Sequence, residues 1–374
     1  MRVVIVKREP KVAFSMDVYT ANLVTQLKEI RPDWEIVEVA PKPWSKDLEN
    51  LWVSGNPIRK YYERFYNHPR AVNRIEADIF HIIDHTDGHI AYGLKKLGKP
   101  VVITCHDLVQ YVYPEILKNE SRFPAFSMAA LKYSIRGTTV ADRTIAISTN
   151  TAKDISHWLN IDPRQIEIVL NGVEPIFRRL SPEVVRDWRS QYVKSPEEIC
   201  LLNVGSPHHN KNIPTILKVV KALADKEIPV RLWKVGDDFI AEQKQFIKDN
   251  GLEPHISFMG KPDLEGLIRF YNAADLLLAP SLYEGFGLTI LEAMACGTPV
   301  ITSNVSSLPE VAGDAAVLVE PRDVKAITEA VLRIHQDSAF RDDLIAKGLA
   351  RCQELTWRRT AEQVARLYEQ IVDS

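Results

Sequence analysis

Residues 284–301 read EGFGLTILEAMACGTPVI, and this stretch decides the fold. The preceding Asp275–Ala279 is short and apolar, the pattern of a buried strand. Pro280 to Glu284 follows as a loop. Leu288–Cys296 has helical spacing, and Gly297 closes it. Pro299–Thr302 then resumes as a strand. Strand, helix and strand in succession form the repeating unit of a parallel sheet. Within this unit two carboxylates, Glu284 and Glu292, flank Gly285-Phe286-Gly287. A helix that starts near Gly287 offers unpaired amides and a positive dipole end, a ready phosphate site. Gly285 and Gly287 leave space for close approach by a ligand. Glu284 then sits on the rim. Glu292 sits a little over one turn into the helix, where a carboxylate can accept two hydrogen bonds from a diol such as a ribose.

Working outward, the same alternation fills the chain. Arg2–Val6, Glu35–Val39, Asp78–Ile83, Pro100–Thr104, Arg143–Ile147 and Ile166–Leu170 read as buried parallel strands. A second series comprises Ile199–Gly205, Val230–Val235, Ile256–Met259, Asp275–Ala279, Pro299–Thr302 and Ala316–Val319. Helical patterns such as Thr20–Ile30, Thr151–Leu159, Asn212–Ala224 and Leu264–Asn272 lie between them. Two such series predict an α/β protein of two Rossmann-like, doubly wound domains facing across a cleft. The expected boundaries are 1–180 for the first domain, 181–198 for a linker and 199–356 for the second. The linker shows charge, Pro182 and Pro196, and no strand pattern. An amphipathic helix, Trp357–Val372, ends the chain. Ligands of open α/β sheets bind beyond the carboxyl ends of strands, so the polar residues just after strands are the candidates.

Composition sets limits on the class. The 374 residues exceed a single ordinary core. No apolar run approaches the ~20 residues of a membrane span, and the N-terminus reads as a first strand rather than a signal peptide. Cys105, Cys200, Cys296 and Cys352 are scattered, with no CxxC pair, which fits a reducing cytoplasm and excludes a disulfide scaffold. The net charge of -2 divides into 27 Lys+Arg against 23 Asp+Glu up to Ser190, and 20 against 26 beyond it, +4 and -6. Near-neutral charge speaks against nucleic acid as a partner. No GxGxxG follows either first strand, which sets aside a nicotinamide oxidoreductase.

Four further strand ends carry candidates. Val204 to Asn212 holds Gly205, Ser206 and Lys211. A helix start disfavours a cation, so a lysine there suits a bound anion such as a diphosphate, with a solvated lysine as the alternative. No P-loop pattern is present. Thr104-Cys105-His106-Asp107 places a histidine able to bind a sugar hydroxyl or move a proton, with Cys105 as core packing. His106 and Asp107, adjacent on a strand end, need not act together. Ser148 or Thr149 caps a helix. Gly260, in Met259-Gly260-Lys261, offers its backbone to a nucleobase.

Taken together, PSLYEGFGLTILEAMACGTPVI resembles the E-x7-E signature of glycosyltransferase family 4, retaining enzymes of GT-B fold. Val204–Asn212, Asn171-Gly172-Val173, Asp142–Ser148 and Ser303–Gly313 are similar to other segments of that family. The resemblance implies a nucleotide-sugar donor, UDP- or GDP-linked, in the second domain. Glu292 would hold the ribose. Lys211, with the amides of Leu288 and Thr289, would hold the diphosphate. Glu284 and the backbone of Gly285, Phe286 and Gly287 would hold the donor sugar, with His106 reaching it from the first domain. The terminal helix, 357–374, would cross back to the first domain. His106, Lys211 and Glu284 are then the catalytic candidates. Two departures stand out. Ser206 leaves Lys211 as the one strong cation, with Arg269 or Arg136 to compensate. Lys7–Tyr19, KREPKVAFSMDVY, lacks the family's Gly-Gly turn, and Ser15, Asp17 and Tyr19 stand in its place, with Asp107 a further acceptor-side candidate.

Departure of a nucleoside diphosphate builds negative charge that helix amides and Lys211 can stabilise, so no metal or other cofactor is required. No DxD-type pair is placed to hold one at the diphosphate. The resemblance implies front-face attack, the leaving phosphate taking the acceptor's proton, and domain closure about a hinge near 178–198. The acceptor class is a glycan, a lipid or a small molecule. The stretch 59–74, RKYYERFYNHPRAVNR, mixes five basic residues with aromatics, as an anionic membrane face would need, although a solvated helix packing its aromatics on the first domain is the simpler reading. The rival functions are a sugar-nucleotide epimerase or hydrolase on the same fold, and a non-catalytic subunit that binds a nucleotide or glycan.

Overall fold

The structure, a computed structural model, describes residues 1–9, 14–45, 56–114, 124–193, 195 and 197–373. The chain divides into two compact units. One comprises Met1–Gly172 with Trp357–Ser374, the other Val173–Thr356.

The first unit is built on a six-stranded parallel sheet. Its strands are β1 (Arg2–Val6), β2 (Glu35–Val39), β3 (Ile79–Ile82), β4 (Val101–Cys105), β5 (Arg143–Ala146) and β6 (Ile166–Ile168), in the spatial order β2-β1-β3-β4-β5-β6. The central strands are buried on both faces, which explains why they read as unbroken apolar runs. The terminal helix Trp357–Val372 packs on helix Phe14–Ile30. It anchors through Trp357, whose ring meets Tyr19 edge-on at 5.7 Å, and through the buried Tyr368, whose hydroxyl lies 2.5 Å from His81 Nδ1. His81 Nε2 in turn bonds Thr104 Oγ1 at 2.7 Å, and Thr104 bonds the Tyr19 hydroxyl at 3.2 Å. Burial pushes His81 down to about 3, so this chain of hydrogen bonds is uncharged at neutral pH.

The second unit repeats the plan with β7 (Ile199–Gly205), β8 (Val230–Gly236), β9 (Ile256–Gly260), β10 (Leu276–Ala279), β11 (Val300–Ser303) and β12 (Val317–Val319), all parallel, in the order β12-β11-β10-β7-β8-β9. Chain direction therefore switches between β7 and β10, which lie side by side. At such a point the loops after the two strands diverge and leave a crevice for a ligand. The core beneath is aliphatic, with Leu201, Leu232, Leu276 and Ile301 from the sheet and Ile216, Val220 and Val331 from the helices.

The stretch expected as a linker is structured differently. Pro182–Arg189 forms a helix, capped by Ser181 and with proline in its first turn, and it packs in the second unit against helix Leu264–Ala273. Arg189 fixes it there, meeting Asp275 Oδ2 at 2.8 Å and the Ala273 carbonyl at 2.7 Å. Its charge had masked an amphipathic helix. Pro196 lies outside the described residues.

Candidate functional site

The second unit gathers most of the candidates at its switch point. β7 ends at Gly205 and feeds the loop that carries Lys211. β10 ends at Ala279 and feeds the loop that carries Glu284. The two loops are stitched together: the Leu282 amide donates to Asn210 O at 2.7 Å, Asn210 Nδ2 to Tyr283 O at 3.2 Å, and Asn212 Nδ2 to Pro280 O at 2.9 Å. Asn212 holds a left-handed conformation, φ 56°, as it starts helix Ile213–Ala224. A third loop, after β11, clamps the Gly-rich segment from behind. Ser306 Oγ and Ser307 Oγ both donate to Glu284 O, at 2.7 and 2.9 Å, while Ser307 also bonds Phe286 O at 2.8 Å.

Gly287 precedes helix Leu288–Ala295 with φ 113°, a conformation glycine adopts without strain, and a side chain there would start 3.0 Å from Leu308. The helix therefore begins at Leu288, and the amides of Leu288 and Thr289 lie in its first turn, where the helix supplies no acceptor. Phe286 is buried and anchors the loop.

Lys211 and Glu284 come together. Lys211 Nζ donates to Glu284 Oε1 at 2.7 Å, and Ser281 Oγ donates to the same oxygen at 2.7 Å. The cation expected for a diphosphate and the carboxylate expected for a sugar thus pair with each other. Glu292 is partly buried one helical turn in, and Tyr271 donates to its Oε2 at 2.6 Å. Burial pushes Glu292 up to about 7, against the Tyr271 hydrogen bond and the charge of Lys211, which favour the carboxylate. Gly260 ends β9 with φ 66°, and Ser206 is half-buried beside Gly205. Arg269 is used otherwise: its guanidinium lies 5.2 Å from the Trp188 ring centre and 3.5 Å from Glu265. Arg136, the other compensating candidate, belongs to the first unit, at the end of helix Pro124–Arg136.

The first unit carries its candidates on the helix after β1 and in the loops after β4 and β5. His106 is buried, and its Nε2 donates to Ile83 O at 2.9 Å, which leaves the lone pair on Nδ1. Burial holds His106 below its ordinary value, so the ring is neutral. Tyr19 packs edge-on against it at 4.9 Å. Tyr19 itself is turned inward: its ring fills space between His106 and Trp357 and its hydroxyl bonds Thr104, whereas Ser15 is exposed and Asp17 half-buried. Residues 10–13 of the same stretch lie outside the described residues. Asp107 turns back to accept the Val109 amide at 2.9 Å, and the buried Cys105 is core packing. Ser148 caps helix Thr149–Leu159.

Several residues of this region escape sequence reasoning. Arg8 bonds Asp84 at 2.8 Å and Arg64 bonds Asp87 at 2.7 Å, pairs 76 and 23 residues apart. Burial alone would raise Asp84, yet Arg8, with His85 and His106, holds it well below the carboxylate range. Glu9 is buried beside them with Oε2 unpartnered, and burial, with the like charges of Glu63 and Asp17, pushes it up to about 7. Glu9, Lys60, Arg64 and Trp44 line one small cavity. The basic run 59–74 is therefore divided. Lys60 and Arg64 turn in to that cavity, Tyr61 and Phe65 pack on Phe126 and His89, and Tyr62 and Tyr66 remain exposed. Among the described residues no helix is long and apolar enough to cross a membrane.

Two Rossmann-like units, with a phosphate-type helix start at the switch point of the second, define a GT-B protein. Solved structures share this fold along nearly the whole chain. Sucrose-phosphate synthase from Thermosynechococcus elongatus superposes with a TM-score of 0.78 at 23% identity, covering 99% of this chain and 98% of that one. HepE from Anabaena, in complex with UDP-glucose, gives 0.77 at 17%, covering 99% and 100%. The glycosyl transferases group 1 model matches residues 184–351 and the Glycosyltransferase Family 4 model residues 16–176. The chain belongs to this family of glycosyltransferases. The serotype-specific mannosyltransferase WbdA of Escherichia coli is 28% identical over 348 residues, 87% of this chain and 42% of that protein. O-antigen chain mannosyltransferase B of Escherichia coli is 42% identical over 176 residues, 45% of each. The chain thus spans less than half the length of the curated relatives it matches first.

Proposed function

We propose that the chain is a retaining hexosyltransferase, with mannose the leading donor sugar, that draws on a nucleoside-diphosphate sugar and glycosylates a glycan or lipid-linked acceptor. The observation that carries this is the convergence of Lys211, Glu284, Glu292 and the helix start at Leu288 on one switch point. The names of the mannosyltransferase relatives favour mannose. UDP-glucose bound to HepE favours a nucleotide sugar.

In this mechanism Glu292, oriented by Tyr271, accepts hydrogen bonds from the ribose. Ser206 and the Gly260 backbone flank the nucleotide. The diphosphate draws Lys211 away from Glu284, and that exchange frees Glu284 to accept a sugar hydroxyl beside the backbone of Gly285, Phe286 and Gly287. As the anomeric C–O bond breaks, the charge growing on the leaving phosphate meets Lys211 and the amides of Leu288 and Thr289. These groups do the work a metal would otherwise do. The acceptor oxygen attacks on the same face, and its proton passes to the departing phosphate. His106, neutral, serves as a hydroxyl partner for the sugar, with Ser15, Asp17 and Asp107 on the acceptor side. The enzyme works in the cytoplasm, and a lipid-linked acceptor would bring it to the inner membrane face through 59–74.

The test is a thermal-shift panel of GDP-mannose, UDP-glucose and an ADP-sugar, followed by analysis of the product anomer. One nucleotide sugar is expected to raise the melting temperature, since binding the native state alone stabilises it. Its sugar should then appear on the acceptor with configuration retained. Free epimerised nucleotide sugar, or hydrolysis unaffected by acceptor, would establish the epimerase or hydrolase instead. Binding without any turnover would make the chain a nucleotide-binding subunit.

A further inference from the structure

The strand VRLWKVG, Val230–Gly236, carries a lysine where its neighbours are core residues. Lys234 lies on the same side of β8 as Val230 and Leu232 and is fully buried. A buried ammonium is expensive, and an apolar side chain would cost less at such a position. Among the described residues its Nζ bonds carbonyls, donating to Gly205 O at 2.5 Å and to Val235 O at 3.1 Å. Gly205 ends the neighbouring strand β7 and begins the loop that carries Lys211. Backbone contact here is close: a side chain on Gly236, whose φ is 105°, would start 2.5 Å from Gly205 O. With that carbonyl drawn inward, the planar trans peptide turns the Ser206 N–H the opposite way, out of the core. Lys211 approaches the same turn, its Cε 3.7 Å from where a Gly205 side chain would begin.

We propose that Lys234 is a positioning residue and second cation of the diphosphate site, fixing the Gly205–Ser206 peptide with its amide outward and adding its charge behind Lys211. This deepens the donor assignment above and rests on it. It also offers a cation in place of the one that Ser206 does not supply, while Arg269 is engaged with Trp188 and Glu265. Burial, opposed by Asp237 and Asp238 on the following turn and aided by repulsion from Lys211, lowers Lys234 to about 8. His208 and His209 lie on the Lys211 loop. A bound diphosphate favours the charged ammonium and therefore raises that value. Binding above pH 8 is accordingly coupled to proton uptake.

The test is calorimetry of GDP-mannose and UDP-glucose binding at pH 8.5 in buffers of different ionisation enthalpy, on the full chain. The wild type should take up about half a proton per nucleotide sugar bound. Lys234→Arg, charged throughout, should bind within about threefold of wild type with the uptake abolished. Lys234→Met, apolar and of similar length, should lose the uptake and about tenfold in affinity, the scale of one charge-assisted contact. Uptake that persists in both variants belongs to the loop histidines and overturns the assignment, as does wild-type affinity in Lys234→Met. If Lys234→Met does not fold, the uptake in Lys234→Arg decides alone. A wild type that binds neither nucleotide sugar overturns the donor assignment, and this inference falls with it.

Discussion

Each unit holds a glutamate that is pushed up to about 7, and the two keep different company. Glu292 in the second unit holds the Tyr271 hydroxyl and feels Lys211. Glu9 in the first unit has Oε2 without a partner and the like charges of Glu63 and Asp17 nearby. The ion pairs beside them differ in the same sense. Arg8–Asp84 is deeply buried, with side chains 16% and 3% exposed, whereas Lys211–Glu284 is somewhat more open, at 23% and 14%. A carboxylate held by a donor at a strand-switch crevice is ready to exchange partners with a ligand. A carboxylate locked in a buried cluster mainly determines how stability responds to pH.

The largest contrast concerns the ion pairs. Asp84→Asn should cost about 3 kcal/mol of stability, because it strands the Arg8 charge. Glu284→Gln should cost less than about 1 kcal/mol, since Lys211 can turn to water. Urea denaturation of both variants measures the difference, and equal losses would break the comparison. Asp84 also sets a sign. Its depressed value contributes stability that is complete above the ordinary carboxylate pKa and is lost as pH falls below it. The next effect is catalytic. Glu292→Gln should lower turnover about 100-fold, the scale of losing one stabilising group at the reacting phosphate and ribose. Steady-state assay with the nucleotide sugar identified by thermal shift checks it, and near wild-type transfer would remove Glu292 from the site. The smallest effect is read at Glu9 from pH alone. A raised carboxyl holds its proton more tightly when folded, so the Glu9 contribution falls as pH rises from about 4.5 to about 7 and is level above that. Glu9→Gln should therefore stabilise the protein by about 1 kcal/mol at pH 8 and by almost nothing at pH 4.5, seen by denaturation at the two values.

The same contrast explains what the amino-acid sequence discloses. All twelve strands of the described residues are visible in it. The inner ones show because strands buried on both faces are continuous apolar runs. The partly exposed edge strands β2, β6, β9 and β12 show because short β-branched or apolar runs lie between turn residues. Lys211, Glu284 and Glu292 are visible too, because they follow strands or open helices. Their pairing is not, since Lys211 and Glu284 are 73 residues apart and only the adjacency of β7 and β10 joins them. Tyr271 and Lys234 hide inside regular elements, where an aromatic or a lysine stem passes for packing. The cluster of Arg8, Asp84, Arg64 and Asp87 is scattered over loops with no common spacing, and in 59–74 the composition suggests a surface although Lys60 and Arg64 face inward.

The terminal helix has a consequence for synthesis. Residues 173–356 form one unbroken unit, while the other unit needs residues 357–372 to cover Tyr19 and His81 with Trp357 and Tyr368 and to pair Arg31 with Glu369. A ribosome delivers those residues after 173–356. The unit encoded second can therefore finish folding first, and the unit encoded first must wait, its sheet assembled but one helix short, until residues 357–372 have emerged. A chain cut at Thr356 would lose the closing helix of its opening domain, although the missing residues lie at the far end of the sequence.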